Sequence, residues 1–110
     1  MAGLAEKSKI TERIGNLLLV RVPEELDHHV ADQVRKEVDM LLKREDIQRL
    51  VFDFTRTVFC DSSGIGMLMG RYKMMRALGG EVQAVHVDEN VYRILRISGI
   101  TKLISVNGGE

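Results

Sequence analysis

Between Leu50 and Met75 the spacing of apolar residues changes from that of a strand to that of a helix, across one short polar turn. Leu50, Val51, Phe52 and Phe54 make a compact β-prone run, whereas Ile65, Leu68, Tyr72 and Met75 recur at helical intervals. A strand must therefore end, and a helix begin, at Asp61-Ser62. A strand that feeds a helix and then another strand calls for a crossover, and crossovers lay strands parallel.

The rest of the chain obeys the same alternation. Ile14-Gly15-Asn16-Leu17 reads as a two-residue hairpin turn, because Gly and Asn tolerate positive φ; it joins a strand from Lys9 to Ile14 with an antiparallel strand from Leu17 to Val22. Leu17, Leu18, Leu19, Val20 and Val22 are apolar on both faces apart from Arg21, which places this second strand inside the sheet. Pro23 ends it. Asp27 can cap the helix that follows, with Val30, Val34, Val38, Leu41 and Leu42 as its apolar stripe and Asp32, Lys36, Asp39 and Lys43 facing water. Gly79-Gly80 stops the glycine-bearing helix, Glu81 to Val87 returns as a strand, and a third helix starts at Asp88. Val91, Ile94, Leu95 and Ser98 share a face of it, Gly99 terminates it, and Leu103, Ile104 and Val106 offer a last strand. The order β-β-α-β-α-β-α-β implies an α/β fold on a mixed sheet of about five strands.

One hundred and ten residues, 45% of them hydrophobic, suffice for one domain spanning residues 1–110 with its own core. Residues 1–7 and 107–110 are expected to be flexible. Sixteen basic residues balance sixteen acidic ones, so no global basic field recommends nucleic acid as a partner. The lone Cys60 excludes an internal disulfide and reads as a small apolar residue before the turn. No apolar run approaches the roughly 20 residues that cross a bilayer, and Met1 to Ile10 lacks a signal-like stretch. A cytoplasmic protein without a membrane partner is expected.

The turn itself carries Asp61, Ser62 and Ser63, three favoured N-cap residues where one cap suffices, so at least one side chain is free to face solvent or a partner. Exposed N–H groups and the positive end of the macrodipole make the site hospitable to negative charge. Gly64, Gly66 and Gly70 each weaken the helix by about 1 kcal/mol relative to alanine. Ser62, Gly66, Gly70 and Lys73 line one flank of it, a small-residue strip that another backbone could approach; close packing on the chain's own sheet is the alternative.

Hydrolysis would need a Gly-x-Ser-x-Gly elbow, but Cys60 and Asp61 stand two residues before the serines. No catalytic residue is assigned. His28 and His29 point about 100° apart on a helix and lack a further ligand, so no metal is expected. An aspartyl-phosphate receiver using Asp61 stays open, with Glu24, Glu25 and Asp27 as its magnesium cluster.

Asp61-Ser62-Ser63-Gly64-Ile65-Gly66, followed by Gly70-Arg71-Tyr72-Lys73 and preceded by Glu25-Leu26-Asp27-His28-His29, resembles the anti-sigma factor antagonists, single STAS domains whose fold also occurs at the C-termini of sulphate transporters. The Glu-Leu-Asp-His-His segment is similar to the sporulation sigma F branch; a general-stress antagonist of the same fold is the alternative within the family. Glu24, after Pro23, stands where the family often has glycine.

The resemblance implies a partner-switching protein and not an enzyme. Its unphosphorylated form would bind an anti-sigma factor that is also a serine kinase, releasing the sigma factor to activate sporulation transcription. The kinase would then phosphorylate Ser62, and a PP2C-type serine phosphatase would reverse the step. ATP and magnesium belong to the kinase, so this chain needs no cofactor and is expected to be a monomer when free. Asp27, by the same correspondence, would meet a basic residue of the kinase. The expected docking surface comprises Asp27, Asp61, Ser62, Ser63, Gly64, Gly66, Met67 and Gly70; Met67 and Met74, off the main stripe, offer adaptable apolar contacts, with core filling as the alternative.

Overall fold

A computed structural model describes residues 10–108. Five strands form one sheet in the order β1-β2-β4-β6-β7. The hairpin of β1 (Thr11–Ile14) and β2 (Leu17–Arg21) is antiparallel, and Gly15 takes the positive φ of 62° that its turn requires. From β2 onward, β4 (Arg49–Asp53), β6 (Glu81–Val87) and β7 (Ser105–Gly108) pair in parallel, joined by α1 (His28–Arg44), α2 (Ser62–Ala77) and α3 (Glu89–Ser98). The mixed α/β sheet expected from the order of elements is what forms.

Alternate positions of the sheet, Leu18 and Val20, Leu50 and Phe52, Val82 and Ala84, are buried with Val34, Val38, Leu68 and Met75 of the helices. These apolar layers hold the fold, at about 1.5–3 kcal/mol for each large side chain removed from water. Each helix begins on an aspartate: Asp27 Oδ1 accepts from Val30 N at 2.9 Å, Asp61 Oδ1 from Ser63 N and Gly64 N, and Asp88 Oδ1 from Val91 N at 2.8 Å. Gly99, at φ 89°, ends α3 in the left-handed conformation, and a 3₁₀ turn, Ile100–Lys102, leads to β7.

Several details depart from the sequence expectations. A second sheet exists: β3 (Glu25–Leu26) and β5 (Phe59–Cys60), two residues each, pair in parallel. Neither has a periodicity to read. In α2 the buried residues are Gly64, Met67, Leu68, Arg71 and Met75, whereas Ile65 and Tyr72 are only partly covered. The helix is rotated from its expected stripe because Gly64 sits against β3 and β5, where an added Cβ would lie 2.7 Å from Leu26 Cγ and 2.9 Å from Cys60 Sγ. Ser98 is exposed and its hydroxyl donates to Leu95 O instead of joining the α3 core face, and Leu103 is 43% exposed ahead of β7. Asn107 and Gly108 belong to β7, paired with β6, and are not a loose tail; the expectations for residues 1–7, Lys9, Gly109 and Glu110 fall outside the described residues.

Candidate functional site

The two-residue sheet builds the site. Leu26 pairs with Cys60, Val58 N donates to Glu24 O at 2.9 Å, and Asp61 N donates to Leu26 O at 3.2 Å, so the chain enters α1 and α2 side by side. Thr57, 1% exposed, braces the approach: its hydroxyl lies 3.0 Å from Val22 O and 2.9 Å from Pro23 O, and donates between them. Asp27 and Asp61 thus stand one residue past paired positions, and both cap.

Because Asp61 accepts from two backbone N–H groups, neither serine is needed as a cap. Ser62 is exposed, and its hydroxyl makes no hydrogen bond among the described residues. Ser63 is half-buried, with Oγ 3.4 Å from His28 Nδ1, a long contact that ties the two helix starts together. Val58 and Phe59, 55% and 45% exposed, are open apolar side chains just ahead of the Asp61-Ser62-Ser63 turn that sequence reasoning did not assign.

The glycines divide into two kinds. Gly64 is buried and its smallness is used inside the fold, so it belongs to the core and not to an open docking strip. Gly66 and Gly70 have no atom within 4 Å of an added Cβ, and Gly66 is exposed; nothing among the described residues calls for glycine at either position. Met67, only 4% exposed, is a core residue, which corrects its expected role as an adaptable surface contact.

Two further residues escaped sequence reasoning. Arg71 is 7% exposed between α1 and α2, with Nε 3.0 Å from Asp39 Oδ1, an ionic contact and not a well-aimed hydrogen bond. Burial pushes the guanidinium pKa down and Asp39 pulls it back. Asp39, expected to face water, is therefore turned inward as the partner of a buried cation. The spacing Met67, Arg71, Met75 marks this seam, four residues apart each time, but a charge in an apolar row reads as solvent-facing. Hydrogen bonds from Arg35 and Lys36 hold the Asp32 carboxyl below its ordinary range. Cys60 is buried and its thiol is pushed up to about 11, first by burial and then by Asp61.

No three His, Cys, Asp or Glu side chains among the described residues stand together as an ion site. Glu24 and Glu25 are exposed and Asp27 is engaged as a cap, so the acidic cluster that a receiver domain needs is not assembled around Asp61. No helix among the described residues is long and apolar enough to cross a membrane.

Residues 8–108 match the STAS domain family. An anti-sigma F factor antagonist of Paenibacillus polymyxa is 37% identical over 94 residues, 86% of this chain and 80% of that protein. The chain is a STAS domain of the anti-sigma factor antagonist family. An anti-sigma-B factor antagonist of Listeria monocytogenes is 26% identical over 93% of the antagonist described here and 89% of its own length. Among solved structures, the anti-sigma factor antagonist SpoIIAA in its unphosphorylated form superposes with a TM-score of 0.79 at 25% identity, covering 87% of this STAS domain and 84% of that chain. SpoIIAA in its phosphorylated form superposes at 0.71 with 24% identity, covering 87% of each chain, a likeness of fold.

Proposed function

We propose that this antagonist is switched by phosphorylation of Ser62: unmodified, it binds an anti-sigma factor that is also a serine kinase and frees a sporulation sigma factor; phosphorylated, it lets go. The observation that carries this reading is that Asp61, and not a serine, caps α2, leaving an exposed Ser62 hydroxyl at the helix N-terminus. A phosphate there brings about −1.5 to −2 charges, which the macrodipole accepts locally, so the fold persists. The same charge lands beside Asp61 and Asp27. Where a partner docks, it brings repulsion and a desolvation cost; about 3 kcal/mol weakens binding more than a hundredfold.

Asp27, Asp61, Ser62, Ser63, Gly66 and Gly70 form the docking surface in this reading, with Val58 and Phe59 as its apolar shoulder. Asp27 meets a basic residue of the kinase. The kinase supplies ATP and magnesium, a PP2C-type phosphatase restores the hydroxyl, and the free antagonist acts as a cytoplasmic monomer without a cofactor or catalytic residue of its own. A general-stress role is the second reading, favoured by the 26% identity with the Listeria monocytogenes protein.

Incubating the chain with the sporulation and the general-stress anti-sigma factors, each with radiolabelled ATP and magnesium, tests both readings. Label on Ser62 from the sporulation kinase is expected. Label on Ser63 sinks the site assignment, and label from the stress kinase alone moves the protein to the other branch.

A further inference from the structure

Between α1 and α2, next to the serines, lies a groove of about 210 Å³ lined by His28, Asp32, Arg35, Gly66 and Arg71 among others. Arg71 lines it while 93% buried, and its Nη1 is enclosed with no acceptor among the described residues; Nε lies 3.0 Å from Asp39 Oδ1 in an ionic contact that is not a hydrogen bond, and Nη2 reaches only the Met74 thioether at 3.5 Å. A guanidinium carries five donors, and one left unmet in a covered place is costly. Arg35 stands over the same groove. Asp32 is shared between Arg35 at 2.7 Å and Lys36 at 3.2 Å, and Asp39 between Arg71 at 3.0 Å and Arg35 at 4.0 Å, so three cations share two carboxylates and one positive charge stays unmatched. Gly66 holds its mouth clear, with no side chain to close it.

We propose that this groove receives an aspartate or glutamate side chain of the anti-sigma factor, an inference that rests on the antagonist reading. The groove is smaller than the roughly 300–1,000 Å³ of ordinary ligand sites, which suits one inserted side chain and not a nucleotide. A carboxylate adds a single charge beside Asp32 and Asp39, where a phosphate would add nearly two. It can pair with Arg35 at the mouth, in the bidentate manner that guanidinium groups favour, over the unmet charge of Arg71 beneath. His28 and Arg35 are seven residues apart, about 10 Å along α1, so the acidic patch at Asp27 and the basic groove form two poles of one surface. Opposite poles fix the register of docking as well as its strength.

The test is titration of the purified anti-sigma factor with the full chain and with two variants. Arg35→Gln, at the exposed mouth, is expected to weaken binding about tenfold. Arg71→Met combined with Asp39→Leu removes both halves of the buried pair, leaves no orphaned charge, and is expected to fold and bind at least about tenfold more weakly. Among single alanine replacements of the anti-sigma factor's acids, one should abolish the difference between wild type and Arg35→Gln. If wild type does not bind, the antagonist reading itself falls. If wild type binds and Arg35→Gln binds equally well, or no partner acid couples to it, the groove is empty in the complex and only this proposal fails; should the double variant not fold, Arg35→Gln decides alone.

Discussion

Asp27 and Asp61 occupy matching positions, each one residue past the Leu26 and Cys60 pair of the small parallel sheet, and each caps the helix that starts there, Asp27 by accepting one backbone N–H and Asp61 two. The two helix starts are therefore one structure, and a charge placed on either is felt by a partner that touches both.

Replacing Ser62 separates its hydroxyl from its charge. Ser62→Ala should fold as wild type, bind the anti-sigma factor and incorporate no phosphate. Ser62→Asp should keep its circular dichroism spectrum and bind about a hundredfold more weakly by calorimetry. A collapsed helix signal in Ser62→Asp would replace the interface mechanism with an unfolding one.

Gly64 and Gly66 should respond in opposite ways to the same methyl group. Gly64→Ala places a carbon against Leu26 and Cys60 and is expected to cost about 1–3 kcal/mol in denaturant melts. Gly66→Ala meets nothing within 4 Å and should raise stability by about 0.5–1 kcal/mol while weakening the anti-sigma complex. A Gly66→Ala protein that binds unchanged removes that position from the docking surface.

The cap at Asp61 holds two N–H groups, so Asp61→Ala is expected to cost about 1–2 kcal/mol. Asp61→Asn, which keeps an acceptor oxygen, should recover most of that loss in the same melt.

Cys60 gives the fold a dependence on alkaline pH. Its thiol ionises near 9.0 when free and at about 11 in the fold, so the native state holds the proton more tightly. The stability it contributes is complete below pH 9 and is lost as pH rises to about 11, a fall of about 2 kcal/mol. Urea titrations from pH 8 to 11 should show this slope, and Cys60→Ala should flatten it. Equal slopes in both proteins would assign the alkaline loss to other groups.

His86 sits at φ 57° beside the irregular pairing of β6 with β7. That region disfavours a side chain, so His86→Gly should raise the melting temperature slightly: about 1–2 kcal/mol of relieved strain outweighs the roughly 0.5–1 kcal/mol of entropy that glycine adds to the unfolded chain. A lower melting temperature would mean that the imidazole makes up for its backbone.

Much of this was written in local patterns. Leu50 to Phe54 and Leu17 to Arg21 are too apolar for edge strands, and the three aspartate caps announce their helices directly. Asp61-Ser62-Ser63 revealed a surplus of caps, although only the structure shows that Asp61 takes the role and frees Ser62. Phe59-Cys60 and Glu25-Leu26 are too short for any period, and their pairing spans 34 residues, which no local signal carries. Arg71 was illegible for a different reason: its burial depends on Asp39, on another helix, and a cation without its counter-ion in view is always read as exposed. Met67 followed the same error in reverse, since a rotation of α2 set by Gly64 moved it inward.

The pairing of β3 with β5 also has an evolutionary consequence. Four residues and one strand spacing of about 4.8 Å set the distance between the two helix starts, while the segments leading into them are anchored upstream by Thr57. The exposed side chains of Glu24 and Arg56 can therefore change while the spacing of the two helix starts stays the same.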